Sequence, residues 1–107
     1  MVVINECAGI LQYCQECFEG LKAYTTEDGS IVTFRPDLNA ERMMDSCARL
    51  EMPQFPKDRW IDALDKVVKA NEAWVPPYGS GATLYIRPYM FASGPVIGVK
   101  PSNEYQF

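Results

Sequence analysis

The sequence predicts an α+β fold: a largely antiparallel sheet with a pair of helices. Three observations carry this. The apolar patterns run strand, strand, helix, helix, strand rather than alternating strand with helix. A short turn, Glu27-Asp28-Gly29-Ser30, joins the first two strands as a hairpin. Two consecutive stretches, one after Asn39 and one after Lys57, then carry apolar residues at helical spacing.

Met1 to Gly9 show no periodicity. From Ile10 to Thr26, apolar and aromatic residues sit among polar ones, which reads as strand. Phe18, Gly20, Lys22 and Tyr24 then share one face, and Glu19, Leu21 and Ala23 the other. Gly29 supplies the positive φ that a tight hairpin turn needs. Ile31 to Phe34 returns as the partner strand, and Arg35-Pro36 ends it. Asn39 is a favoured N-cap type, and Met43, Met44, Cys47 and Leu50 follow on one helical face. Met52-Pro53 closes that helix. A second helix is expected from Lys57 to Ala73. Trp60, Ile61, Leu64, Val67 and Val68 form its buried stripe, opposite Asp62, Asp65, Lys66 and Lys69. Pro76 to Gly81 is loop. Thr83 to Phe91 is strand, with Pro88 marking an edge or a bulge. Ser93 to Pro101 is loop or short strand, and Tyr105 to Phe107 begins a further strand.

At 107 residues the chain is one domain, 1–107. Its formal charge is -4 and its ten basic residues are scattered, so there is no nucleic-acid footprint. No apolar run reaches the length of a membrane span, and no stretch reads as a signal peptide. The expected location is therefore the cytoplasm. Cys14 and Cys17 form a Cys-x-x-Cys. A structural zinc site needs two more ligands at paired spacing, which Cys7 and Cys47 do not offer. A redox Cys-x-x-Cys opens a helix, whereas strand follows here. The thiols read instead as small, half-buried residues. With no histidine in the chain, Ser-His and Cys-His nucleophile pairs are excluded. Lysine, carboxylate or tyrosine must carry any acid-base work.

Arg42 lies in the first turn of a helix that starts at Asn39. A cation there is unfavourable beside the positive end of the helix dipole unless an anion joins it. A helix N-terminus with an arginine fork suits phosphate; a solvated side chain is the alternative. Tyr85 and Arg87 alternate along a strand and so reach one side of the sheet. A hydroxyl beside a guanidinium suits a carboxylate ligand. The alternative is a surface Arg-Glu pair next to a core tyrosine. Tyr13 and Phe18, taken alone, read as core aromatics.

Two segments belong together. One is Gln15-Glu16-Cys17-Phe18-Glu19-Gly20-Leu21-Lys22-Ala23-Tyr24, followed by Arg35-Pro36 and Asn39-Ala40-Glu41-Arg42. The other is Ala73-Trp74-Val75-Pro76-Pro77-Tyr78, then Leu84-Tyr85-Ile86-Arg87-Pro88. In this order and spacing they resemble the small, N-terminal domain of branched-chain amino acid aminotransferases. These are pyridoxal 5'-phosphate (PLP) enzymes of the D-amino-acid-aminotransferase fold group. The resemblance runs from about Tyr13 to Phe107. Phe-Glu-Gly-x-Lys occurs across the fold group, whereas Trp-Val-Pro-Pro and Tyr-x-Arg-Pro point to the branched-chain branch. Cys14, Cys17 and Cys47 stand where apolar or small residues are common in the family.

The resemblance implies PLP as cofactor and amino transfer between leucine, isoleucine or valine and 2-oxoglutarate, with glutamate as the partner amino acid. It implies a large domain outside this chain that bears the cofactor lysine, so that these 107 residues alone are inactive. It also implies a homodimer in which one subunit's small domain helps close the other's site. Arg42 matches the family's contact to the PLP phosphate. Tyr85 and Arg87 match the substrate pocket, where the arginine accommodates the side-chain carboxylate of glutamate. Tyr13 and Phe18 match the lining for the branched side chain, and Val99, in Ile97-Gly98-Val99, another lining position. Lys22 matches a lysine that does not bear the cofactor, and Glu19 is expected only to hydrogen-bond within the fold. A D-amino-acid aminotransferase or an aminodeoxychorismate lyase is the rival enzyme, against which Tyr85-x-Arg87 argues. A non-catalytic binding domain that reuses the fold is the rival of another class.

Overall fold

The computed structural model describes residues 1–107. In order it contains α1 (Gly9–Tyr13), β1 (Glu16–Phe18), β2 (Leu21–Thr25), β3 (Ile31–Thr33), α2 (Pro36–Arg49) and α3 (Lys57–Ala70). A turn of 3₁₀ helix at Glu72–Trp74 leads to β4 (Leu84–Ile86), β5 (Tyr89–Ala92) and β6 (Tyr105–Gln106). The α+β class holds, but there are two antiparallel three-stranded sheets, ordered β1-β5-β6 and β3-β2-β4.

The division into two sheets has a local cause. Phe18 pairs with Tyr89 in one sheet and Leu21 with Ile86 in the other. Glu19-Gly20 and Arg87-Pro88 lie between these pairs, so both chains change sheet at the same corner. Pro88 has no N–H for a ladder, but its carbonyl accepts from the Glu19 amide at 2.9 Å. The single strands expected over Ile10–Thr26 and Thr83–Phe91 are therefore each broken.

The first stretch also begins as helix. α1 ends where Cys14 takes φ 53° and its N–H returns to the carbonyls of Gly9 and Ile10. Gly9 lets this helix lie on β5, since a Cβ there would sit 2.9 Å from the Ala92 Cβ. A second correction concerns α2. It starts at Pro36, not at Asn39, because proline suits the first helical position and Arg35 turns the chain with φ 47°. Asp37 then complements the dipole. Asn39 is inside the helix and caps nothing.

The sheets lay one face on α2 and α3. Cys17, Leu21, Ala23, Ile86 and Met90 meet Ala40, Met43 and Cys47 of α2 and Trp60 and Leu64 of α3. The Trp60 indole N–H donates to the Met43 sulfur at 3.1 Å, and the Cys17 and Cys47 sulfurs touch at 3.3 Å. Leu50 and Val67, expected on the buried stripes, are exposed. The alternation expected along Phe18–Tyr24 is observed: Glu19, Leu21 and Ala23 are buried, Phe18, Gly20, Lys22 and Tyr24 exposed.

The outward face is not covered. Tyr24 pairs with Val32, Lys22 with Tyr85 and Phe18 with Tyr89, so their exposed side chains form one aromatic surface. The chain exposes 7226 Å², where a monomer of its mass exposes about 6,000 Å². Its radius of gyration is 16.1 Å, against about 13 Å for a closed domain of this length. No helix is long and apolar enough to cross a membrane.

Candidate functional site

The first group of side chains sits where β1 gives way to β2. Glu19 points to the helix side, and Asn39 and Arg42, three residues apart on α2, reach down to it. Arg42 Nε donates to Oε1 at 2.7 Å and Nη2 to Oε2 at 2.7 Å, a bidentate fork. Asn39 Nδ2 adds 2.8 Å to Oε2 and 3.3 Å to the Gly20 carbonyl. Glu19 is 5% exposed, whereas the Arg42 side chain is 68% exposed. Burial pushes the Glu19 carboxyl up, but the hydrogen bonds from Arg42 and Asn39 outweigh it and hold it below the usual glutamate value. The hydrogen bond to Glu19 in turn holds Arg42 above its ordinary value.

Because α2 starts at Pro36, Arg42 lies in its second turn. The helix-terminus argument for phosphate therefore does not apply, and the anion beside Arg42 is Glu19. The fork uses one edge of the guanidinium. Nη1 makes no bond to the chain, so one edge remains for a ligand. Arg42 also borders a shallow depression with Asp45, Ser46 and Arg49.

The second group is Phe18, Tyr85 and Arg87. Arg87 Nε donates to Tyr85 Oη at 3.3 Å. Its guanidinium lies 4.6 Å from the Phe18 ring centroid and 5.5 Å from that of Tyr85. Phe18 and Tyr85 are 55% and 50% exposed, so neither is core. Arg87 has no carboxylate partner, which removes the Arg-Glu alternative. Gly20 shapes this group, because a Cβ there would lie 2.8 Å from Tyr85 Oη. Sequence reasoning missed both Gly20 and the ion-pair role of Glu19. The signal was the Phe18-Glu19-Gly20 tripeptide, whose three members serve the two groups from opposite faces.

Tyr13 and Val99 form a third group, in a cleft of about 400 Å³ between α1 and the 94–103 loop. Gln15, Leu50, Val96 and Lys100 also line it, but Phe18, Tyr85, Arg87 and Arg42 do not. Val99 is 95% exposed and walls it only at the rim. Tyr13 and Phe18 are thus not neighbours in one pocket. No lysine is buried: Lys57, Lys66 and Lys69 pair with Glu41, Asp62 and Asp65, and Lys22 and Lys100 are exposed. All four cysteines are free, and Cys14 is exposed while Cys17 faces the core.

No family model matches the chain. Curated relatives do. Over 104 residues it is 53% identical to the branched-chain-amino-acid aminotransferase of Haemophilus influenzae, covering 97% of this chain and 30% of that protein. It is 50% identical over 104 residues to a methionine aminotransferase of Arabidopsis thaliana, covering 97% and 29%. The crystal structure of the Escherichia coli branched-chain amino acid aminotransferase superposes with TM-score 0.77 at 25% identity, over 97% of this chain and 32% of that one. That of a T.th. branched-chain amino acid aminotransferase complexed with N-(5'-phosphopyridoxyl)-L-glutamate gives TM-score 0.75 at 25% identity, over 92% and 31%. The chain spans about 30% of the length of the curated relatives it matches. By sequence and by fold, this chain belongs to the branched-chain aminotransferase family.

Proposed function

We propose that this chain is the N-terminal small domain of a cytoplasmic aminotransferase. The complete protein moves an amino group between leucine, isoleucine or valine and 2-oxoglutarate. The observation that carries this reading is the Arg87 cluster. A cation held on two aromatic faces, with no carboxylate of its own, suits a pocket that takes an apolar side chain and the carboxylate of glutamate in turn. The T.th. structure was solved with a phosphopyridoxyl-glutamate, a molecule that joins cofactor and that substrate.

The residues fit PLP in part. Arg42, with one guanidinium edge free, offers a phosphate anchor. No lysine of this chain stands ready to bear the cofactor, so that lysine belongs to the large domain, outside these residues. Bound at the site, PLP supplies the electron sink for amino transfer. This chain orients the phosphate through Arg42. It holds the substrate carboxylate through Arg87 and Tyr85 and presents Phe18 to the side chain. Apolar pockets discriminate by shape at only about 1–3 kcal/mol, so several related donors are accepted. The Arabidopsis relative, named for methionine and 50% identical, fits that breadth.

Tyr13 and Val99 stand apart from the Arg87 cluster. In a homodimer, the cleft of one copy closes the pocket of the other. The aromatic face is covered by the rest of the protein, and the excess of roughly 1,200 Å² in exposed surface matches that need. Four free thiols fit a reducing cytoplasm.

The test is amino transfer to 2-oxoglutarate by the complete natural protein, with leucine and D-alanine as alternative donors. Turnover of leucine but not D-alanine is expected. The isolated chain with added PLP is expected to give none. Turnover of D-alanine alone would move the protein to the other branch of the fold group. Turnover of no donor would leave the non-catalytic binding domain.

A further inference from the structure

We infer that Glu19, assisted by Asn39, is a positioning residue for Arg42: it grips one edge of the guanidinium and aims the other edge at the cofactor phosphate. This rests on the reading of Arg42 as the phosphate anchor.

The asymmetry of the pair is the main argument. An ion pair that serves the fold alone has no need to bury one partner and expose the other. Here the carboxylate is 5% exposed and the guanidinium 68% exposed. Burying a carboxylate is unfavourable unless it is fully hydrogen-bonded. Its strand neighbours on the same side, Cys17, Leu21 and Ala23, are all apolar, so an apolar residue would suit this position better if packing were the only demand. Glu19 instead receives three hydrogen bonds at 2.7, 2.7 and 2.8 Å, which fix both of its oxygens.

The fork also fixes the guanidinium. An exposed arginine on a helix samples many rotamers and must be ordered before it binds. Two parallel bonds from Nε and Nη2 set the plane of the group and leave Nη1 directed away from the carboxylate. Glu19 is itself negative, so it lowers the local attraction for any anion. The gain is therefore in orientation rather than charge: a phosphate that meets the free edge squarely is favoured over one that meets a mobile cation. The corner that carries Glu19 is held as well, since the Glu19 amide donates to the Pro88 carbonyl at 2.9 Å.

The experiment compares binding of pyridoxamine 5'-phosphate and of pyridoxamine to the complete natural protein freed of cofactor, by equilibrium dialysis. The two probes differ only in the phosphate, and neither needs turnover. For Glu19→Gln, affinity for the phosphorylated probe is expected to fall about tenfold, the weight of one charge-assisted hydrogen bond, with pyridoxamine unchanged. A fall for both probes alike would mean that Glu19 serves only the fold, and would overturn the inference. Arg42→Ala separates the two levels. If it removes the preference for phosphate while Glu19→Gln keeps it, Arg42 is the anchor and the clamp is wrong. If Arg42→Ala keeps the preference, the phosphate reading fails and the clamp with it. Should Glu19→Gln not fold, Asn39→Ala is read in the same way. A loss of about threefold confined to the phosphorylated probe supports the clamp, and an unchanged ratio overturns it.

Discussion

The two arginines nearest the sheet corner make a controlled contrast. Arg42 and Arg87 both reach solvent, and both are held by side chains of the Phe18-Glu19-Gly20 tripeptide or its partners. Arg42 is gripped by a buried carboxylate. Arg87 rests on aromatic rings and meets no carboxylate at all. The first arrangement ties a cation into the fold and leaves one edge over; the second keeps a whole cation unneutralised. Removing the first therefore damages the structure, whereas removing the second damages only what the structure recognises. The helix side of the corner is closed and the other side is open, a division that chemical, thermal and kinetic measurements can each break.

The largest expected effect is chemical. Cys17 and Cys47 lie buried on the closed side, whereas Cys14 is exposed at the end of α1. Burial, and then the hydrogen bond with Cys47, push the Cys17 thiol up from 9.0 to about 12. Modification of the folded chain with a disulfide reagent should reach Cys14 at least about a hundredfold faster than Cys17. Mass spectrometry of the peptides measures this. Comparable rates would mean that the closed side opens readily.

Next come the arginines themselves. Arg42→Met leaves Glu19 charged, buried and short of its main partner, and should lower the melting temperature by on the order of 10 °C. Arg87→Met removes only exposed contacts, to two rings and to the Tyr85 hydroxyl, and should lower it by no more than about 3 °C. Parallel melts followed by circular dichroism decide. Equal losses would erase the contrast.

The pH dependence sharpens it. The Glu19 carboxyl is held below its ordinary 4.5 in the folded chain. Its contribution to stability is therefore fully present above that ordinary value and is lost as pH falls through the lower folded value. The difference in melting temperature between the wild type and Glu19→Gln should be constant from pH 7 to about 5, then shrink toward pH 3. A difference that grew with acid would reverse the sign and contradict a lowered carboxyl.

How much of this was legible in the sequence depended on range. The alternation from Phe18 to Tyr24 correctly placed every residue on its face, because period-two patterning reports burial directly. The turn at Gly29, φ 85°, was equally legible. Asn39 misled because its residue type suits a cap. Pro36, three residues earlier, starts the helix at its first position behind Arg35, which leaves Asn39 inside the helix with its amide free for Glu19. The break between sheets was invisible, since it depends on Glu19-Gly20 meeting Arg87-Pro88 across nearly 70 positions of chain. The same distance hid the grouping of the site. Periodicity put Tyr85 and Arg87 on one side, but only the folded chain brings Phe18 beneath Arg87 and sends Tyr13 elsewhere.

The smallest expected effect tests the open side alone. Gly20 has no positive φ to defend, so Gly20→Ala strains no backbone. What a new methyl meets is the Tyr85 hydroxyl, at 2.8 Å. That hydroxyl is the end of a half-exposed side chain and moves at little cost, so the melting temperature should change by no more than about 3 °C. The hydroxyl is also the acceptor that steadies Arg87 Nε. Displacing it loosens the cation that the proposed function assigns to the glutamate carboxylate and leaves Phe18 in place. In the complete protein, KM for glutamate should rise about threefold while KM for leucine stays within error, a split that corresponds to one weakened hydrogen bond. A rise for both substrates would instead place Tyr85 against the whole pocket, and no rise for either would detach Tyr85 and Arg87 from recognition of the carboxylate.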